Sequence, residues 1–144
     1  MGTEKTYHRR RIGRFALLGA GLAAFAMWGL RPFRAVVRGA SMEPLLHDGS
    51  VVVAIAKGTP KTGDVVVLEH PERPGFELVK RVAGSPGEVV HLLPDGSRLV
   101  EPVVLGAGEW FVVGDAPEAS TDSRSFGPVT AQHFRGVVVW PRGR

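Results

Sequence analysis

The amino-acid sequence predicts a mainly β protein, an antiparallel β-barrel or sandwich domain preceded by one N-terminal transmembrane helix. Short runs of β-branched residues recur after residue 35, and one uncharged run lies near the N-terminus. Glycine and proline, with 19 and 11 copies, are concentrated between the β-branched runs. Short strands separated by such turn residues are typical of all-β barrels and sandwiches.

The uncharged run comprises the sixteen residues Phe15–Leu30. As a helix it is about 24 Å long, and extension to residue 12 brings it close to the thickness of a bilayer core. Its end, Met27–Leu30, is bulky and offers no small-x-small cleavage site. We therefore expect a retained signal anchor over residues 15–32, in preference to a cleaved signal peptide or a buried core helix.

Charge is distributed unevenly along the chain. Residues 1–34 carry seven Lys and Arg against one Glu, whereas residues 35–144 carry eleven against thirteen Asp and Glu. Nucleic-acid-binding proteins carry basic surface on the folded domain, so this distribution indicates a lipid bilayer and argues against DNA or RNA as a partner. Arginines are more frequent before the run than after it. This predicts a basic cytoplasmic N-terminus over residues 1–14 and an extracytoplasmic domain over residues 35–144, anchored in the cell membrane by a single pass.

Seven strands are predicted after the anchor, at Val36–Val37, Ser50–Ile55, Asp64–Leu68, Glu77–Val82, Glu88–Leu92, Trp110–Val113 and Gly136–Trp140. Turn sequences such as Asp-Gly and Ser-Pro-Gly separate them. The chain has no cysteine, which excludes a disulfide framework, a thiol nucleophile and a cysteine-ligated metal site. We expect neither a metal nor a cofactor.

Ser41 and Lys80 form a candidate catalytic pair. The five histidines are scattered and none lies in a recognisable triad context, so a serine nucleophile in this chain needs another proton acceptor. A lysine can serve when burial lowers its pKa. Strand alternation places Leu78 and Val82 on the same face as Lys80, which predicts that Lys80 points inward. Taken alone, the two residues are also compatible with a turn hydroxyl and a solvated strand lysine.

Three segments occur in order around this pair, at Gly39–Leu46, Val79–Glu88 and Gly114–Pro128. They resemble the conserved boxes of type I signal peptidases, the S26 serine proteases with a Ser/Lys dyad. The resemblance covers residues 39 to about 141, and three boxes in order behind an anchor are far more specific than one. Only residues 91–110 separate the second and third boxes, so the chain is similar to a short form with a minimal catalytic core.

The resemblance implies that Ser41 attacks the scissile carbonyl, that neutral Lys80 accepts its proton, and that an acyl-enzyme forms. It implies that Ser120 orients the lysine, while Asp122 and Arg124 pair to brace the site. It also implies a substrate strand between residues 36–39 and 77–79, with small side chains at the first and third positions before the cut. The residues expected to contact this strand are Val36, Val37, Gly39, Met42, Leu78 and Val79.

Five positions depart from the family pattern, and two of them, Pro117 and Ala119, replace polar residues of the third box. Ala116 replaces the usual asparagine after Gly-Asp in the third box, and Leu45 replaces the usual threonine after the proline of the first. Gly39 stands where some members carry a serine whose hydroxyl helps to bind the oxyanion. In this chain the oxyanion would depend on backbone N–H groups, chiefly that of Ser41.

The implied function is removal of N-terminal signal peptides from exported precursors, which would be the partners of the enzyme along with the bilayer. Two enzyme alternatives stay open. One is a dedicated maturation peptidase with one or few propeptide substrates. The other is a self-cleaving repressor, for which residues 1–34 offer no DNA-binding domain. A further alternative is an inactive membrane-anchored binding domain, against which the joint presence of both dyad residues and the third-box residues argues.

Overall fold

The computed structural model describes residues 31–56, 58–93 and 95–141, which form nine strands and three short helices. The strands are β1 (Pro32–Val36), β2 (Val51–Ile55), β3 (Val65–Glu69), β4 (Glu77–Gly84), β5 (Val89–Leu92), β6 (Arg98–Val104), β7 (Glu109–Val113), β8 (Val129–Thr130) and β9 (Phe134–Trp140). One α-helical turn, α1 (Ser123–Phe126), and two 3₁₀ turns, Pro117–Ala119 and Ala131–His133, lie between β7 and β9.

Seven of these strands form one antiparallel sheet in the order β1-β2-β9-β3-β4-β7-β8, and β5 and β6 form a separate antiparallel hairpin. The prediction of a mainly β, antiparallel domain is confirmed. Irregular register occurs in three of the pairings within the large sheet, between β2 and β9, β3 and β9, and β4 and β7. Such bulges bend the strands and increase their twist.

Among the described residues there are three apolar clusters, and alternation along β3 and β4 separates two of them at this strand pair. Val65 and Val67 lie in a cluster with Met42 and Leu46 from the segment after β1. Their neighbour Val66 lies in the other cluster with Val82. Because successive side chains point to opposite faces of a strand, the residues of β4 can face the two clusters alternately.

Several element bounds differ from the predicted ones. The first strand begins at Pro32 and ends at Val36, so Val37 lies just beyond it. Strand β6 was not among the predicted strands, because Pro102 interrupts it and five of its seven residues are exposed. The predicted anchor lies outside the described residues except for Arg31 and Pro32. Within the described part of the chain, no helix has the length and hydropathy needed to cross a bilayer.

Candidate active site

Lys80 lies in the middle of β4 and is 2% exposed. Leu78 and Val82, which share its face of the strand, pack in the second apolar cluster, as the sequence predicts. Lys80 Nζ donates a hydrogen bond to Ser120 Oγ at 3.0 Å. Burial lowers the pKa of Lys80 to about 8; the negative charge of Asp122 opposes this and the positive charge of Arg124 adds to it.

Asp122 is fully buried and accepts five hydrogen bonds. Ser120 Oγ donates to its Oδ2 at 2.6 Å, and the Gly114 N–H donates to the same oxygen at 2.9 Å. Arg124 donates from Nη2, Nε and its backbone N–H, at 2.6, 2.9 and 3.1 Å. Burial alone would raise the pKa of Asp122, but the hydrogen bonds from Arg124, Ser120 and Gly114 outweigh it and lower that pKa. Asp122 is therefore a carboxylate that holds both Ser120 and Arg124 in place.

Gly114 lies where the segment Gly39–Leu46 meets the segment Gly114–Pro128. A Cβ built at this position would lie less than 3.0 Å from both Ser120 Oγ and the carbonyl oxygen of Ser41. The Ser41 carbonyl also accepts a hydrogen bond from the Ala116 N–H at 3.0 Å. Ser41 and Ser120 thus both border Gly114. In the described part of the chain, Ser41 Oγ makes no hydrogen bond to Lys80 Nζ.

The six residues expected to contact substrate have different surroundings. Val36 is 51% exposed on the edge strand β1, and Gly39 is exposed in the loop that follows. Val37 and Met42 are buried in the first cluster, at 2% and 0% exposure, so their side chains present no surface to a substrate in this structure. Leu78 and Val79 are half-buried, on opposite faces of β4. Their contact with a substrate remains a prediction.

An ion pair beside the lysine was not predicted from the sequence. Arg81 donates to Asp115 through Nε and Nη2, both at 2.7 Å, and through Nη1 to the Gly63 carbonyl at 3.1 Å. The hydrogen bonds that Arg81 donates to the Asp115 carboxylate raise the pKa of Arg81. Strand alternation could have indicated this pair, because Arg81 follows the inward-pointing Lys80 and so lies on the opposite face of β4. A guanidinium that is buried on that face needs a carboxylate as its partner.

A cleft of about 840 Å³ borders this ion pair. Its lining includes Leu45, Thr62, Arg81, Asp95, Asp115 and Arg124, but neither Ser41 nor Lys80. Its volume therefore does not identify it as the reaction site. Within residues 31–56, 58–93 and 95–141 no group of three or more metal-ligating side chains is found.

Known proteins that are similar to this chain are signal peptidases and inner membrane protease subunits. A family model described as signal peptidase, peptidase S26, matches residues 9–100 and 94–142. The mitochondrial ATP-independent inner membrane protease subunit 1b of Arabidopsis thaliana is 38% identical over 115 residues, which cover 75% of this chain and 68% of that protein. The mitochondrial inner membrane protease subunit 2 of Mus musculus is 33% identical over 120 residues, 75% and 67% of the two chains. Signal peptidase I of Bacillus licheniformis is 30% identical over 121 residues, 62% and 64% of the two chains.

Proposed function

Because this chain belongs to the peptidase S26 family of signal peptidases, we propose that it is a membrane-anchored serine endopeptidase that removes N-terminal signal peptides from exported precursors. The proposal gives Ser41 the role of nucleophile and Lys80 that of general base. The observation that carries it is the environment of Lys80, which is buried, hydrogen-bonded to the Ser120 hydroxyl and lowered in pKa to about 8. A lysine in this state is partly neutral near physiological pH and can accept a proton.

In the proposed reaction, Lys80 Nζ takes the hydroxyl proton of Ser41 as Oγ attacks the scissile carbonyl. Lys80 then gives this proton to the leaving amine, and an acyl-enzyme remains. A water molecule, deprotonated by Lys80, hydrolyses the ester and restores Ser41. The direct contact between Ser41 and Lys80 would form when substrate binds, since catalytic hydrogen bonds are often long in unliganded enzymes.

Two open strand edges support the proposed position of the substrate strand. The N–H and C=O groups of Val37 bond to the β2 side of the sheet, so those of Val36 point to the free edge of β1. The N–H and C=O groups of Val82 bond to the β3 side, and alternation directs those of Val79 away from β3, where β7 does not reach. An extended peptide can pair with such edges. Ala35 and Val79 pack against the same apolar cluster, which brings the two strands close together.

The outer face of the β1–β2–β9 region supports a location at the membrane. Val36, Val51 and Trp140 are 51%, 44% and 61% exposed there, and Val36 and Val51 are cross-strand partners. An exposed apolar patch of this kind is suited to the bilayer interface, where tryptophan is enriched. The relatives named above include inner membrane protease subunits. We propose a single-pass location in the cell membrane with the catalytic domain outside the cytoplasm.

A dedicated maturation peptidase is the second candidate. The relatives called inner membrane protease subunits and the alanine at position 116, in place of the usual asparagine, favour it. A general signal peptidase should cut many precursors after small residues, whereas a dedicated enzyme should cut one or few.

The test is incubation of the detergent-solubilised full-length chain with a panel of secretory precursors, followed by mass-spectrometric mapping of the cuts. Ser41→Ala and Lys80→Ala should abolish cleavage. Lys80→Arg should also abolish it, because arginine does not lose its proton near neutral pH. Matched controls are Ser125→Ala and Lys61→Ala, which change an exposed serine and an exposed lysine. Cleavage by any of the three dyad variants at a rate near that of the wild type would contradict the proposed mechanism.

A further inference from the structure

The loop that carries Ser41 leaves the end of the β1–β2 hairpin and returns to it. Two backbone hydrogen bonds close its base: the Val37 N–H donates to the Ser50 carbonyl at 2.8 Å, and the Gly49 N–H donates to the Val37 carbonyl at 2.9 Å. Further along the loop, the next hydrogen bond between its two arms is made by a side chain. The Gly39 N–H donates to Asp48 Oδ1 at 2.8 Å.

Gly39 has a φ of +82°, a left-handed conformation that residues with a side chain rarely adopt. A Cβ at this position would meet no atom within 4 Å, so the requirement for glycine comes from the backbone conformation and not from crowding. Glycine has access to many other conformations. The bond to Asp48 favours the observed conformation of Gly39. Gly39 directly precedes the turn that carries Ser41, residues 40–43, which is called the nucleophile turn below.

The peptide group between Ala40 and Ser41 is oriented by the turn itself. The Ala40 carbonyl accepts a hydrogen bond from the Glu43 N–H at 3.0 Å, and the Ser41 carbonyl accepts one from the Ala116 N–H at 3.0 Å. In the described part of the chain, the Ser41 N–H itself donates to no backbone or side-chain acceptor. It is available to an oxyanion, and its direction depends on where the turn begins.

We propose that Asp48 is a positioning residue that holds the nucleophile turn through the Gly39 N–H, and so keeps the Ser41 N–H aimed at the developing oxyanion. The inference rests on the proposed function and adds a residue to it. Oxyanion donors accelerate the reaction only when they are oriented before the reaction begins. Asp48 would act on the transition state while leaving the binding of the substrate strand to β1 and β4 intact.

The test compares Asp48→Ala with Asp48→Asn in the detergent-solubilised full-length protein, using a precursor peptide that the wild type cleaves. Asp48→Ala should lower kcat about tenfold and change KM less than about twofold, because the Gly39 N–H loses its acceptor. Asp48→Asn should restore most of the rate, since its amide oxygen can accept the same hydrogen bond. Glu43→Gln is the matched control: this carboxylate lies on the same loop but pairs with His47, and the rate should not change.

Binding measurements separate positioning from general damage to the fold. A peptide aldehyde that forms a tetrahedral adduct with Ser41 should bind Asp48→Ala about tenfold more weakly, in parallel with kcat. The N-terminal cleavage product, which has no oxyanion, should bind equally to both proteins. Asp48→Leu, which keeps a side chain of similar size at this exposed position but has no acceptor for the Gly39 N–H, should give the same pattern and provides a second test if Asp48→Ala does not fold.

A wild-type kcat in Asp48→Ala, an unrestored rate in Asp48→Asn, or weaker binding of the cleavage product would each overturn the role of Asp48. These outcomes can be distinguished from failure of the proposed function. If the proposed function were wrong, the wild type would not cleave the precursor, or Ser41→Ala would cleave it as well as the wild type.

Discussion

The proposed role of Lys80 as a general base predicts how the cleavage rate depends on pH, because this lysine is buried. With a pKa of about 8, roughly 9% of this lysine is neutral at pH 7 and about 90% at pH 9. At the ordinary pKa of 10.5, the neutral fraction at pH 7 would be about 300-fold smaller. We therefore expect kcat/KM to rise about tenfold between pH 7 and pH 9 and then level off.

The assay is cleavage of one precursor peptide by the detergent-solubilised protein between pH 6 and pH 10, with the substrate well below KM. Under these conditions the profile reports the groups that titrate in the free enzyme. A rate that is flat from pH 6 to pH 10, or one that still rises steeply above pH 9, would refute the assignment of Lys80 as a base kept neutral by burial.

The stability of the fold should depend on Lys80 in the same direction. A lysine with a folded pKa below its unfolded pKa binds its proton more weakly in the folded chain, so its burial disfavours folding below about pH 8. This penalty disappears as the pH rises toward 10.5, and it amounts to at most about 3 kcal/mol. Lys80→Met, of similar length but uncharged, has no such penalty.

The measurement is the free energy of unfolding in urea for wild type and Lys80→Met at pH 7, 8, 9 and 10. The wild type should gain stability relative to the variant as the pH rises, because all other titrating groups are common to both proteins. Parallel curves would mean that Lys80 does not titrate differently in the folded and unfolded chains, and the catalytic argument would lose its basis.

Three further predictions concern the surroundings of the proposed dyad and the predicted anchor. Gly114→Ala should destabilise the fold and abolish cleavage, because its methyl group would overlap Ser120 Oγ and the Ser41 carbonyl; circular dichroism and the precursor assay would detect both effects, and a stable, active variant would contradict the contact. Ser120→Ala should lower kcat at least tenfold by releasing the Lys80 amine, with a thermal midpoint closer to the wild type than that of Asp122→Ala; full activity would refute its orienting role. Protease added to spheroplasts should digest the domain and spare the residues before Phe15, whereas a protected domain would contradict the predicted topology.

Much of the fold could be predicted because its strands are short apolar runs bounded by turns. Six of the seven predicted strands overlap the observed ones closely, and the inward direction of Lys80 follows from strand alternation alone. The first predicted strand, Val36–Val37, was wrong in extent, because Pro32 and Arg34 hide the start of β1. Strand β6 was missed because its exposed residues and Pro102 leave no alternating pattern.

Contacts between distant residues could not be predicted in the same way. The bond from Gly39 to Asp48 spans nine residues and depends on a left-handed backbone, which no periodic pattern in the sequence indicates. The Arg81–Asp115 pair joins residues 34 positions apart, and its partners become neighbours only when β4 and β7 pair. The sequence contains the residue types for these contacts, but only the register of the strands determines which of them meet.

The two neighbouring cations of β4, Arg81 and Lys80, are held by different contacts, and Ser120 makes the difference. Arg81 is buried against the carboxylate of Asp115, which accepts two of its N–H groups, and its charge is retained. Lys80 is also buried, but no carboxylate lies within salt-bridge distance of it in the described part of the chain. Ser120 stands between Lys80 and Asp122, and it accepts from the amine while donating to the carboxylate.

The position of the Ser120 hydroxyl between Lys80 and Asp122 affects the pKa of the lysine. A carboxylate in direct contact with Lys80 would stabilise the ammonium and raise its pKa, whereas a neutral acceptor leaves burial as the dominant effect. Arg124 adds to the effect, because it occupies the Asp122 carboxylate and places a positive charge nearby. One strand therefore carries a cation that stays charged to hold the fold together and, one residue away, a cation that can lose its proton.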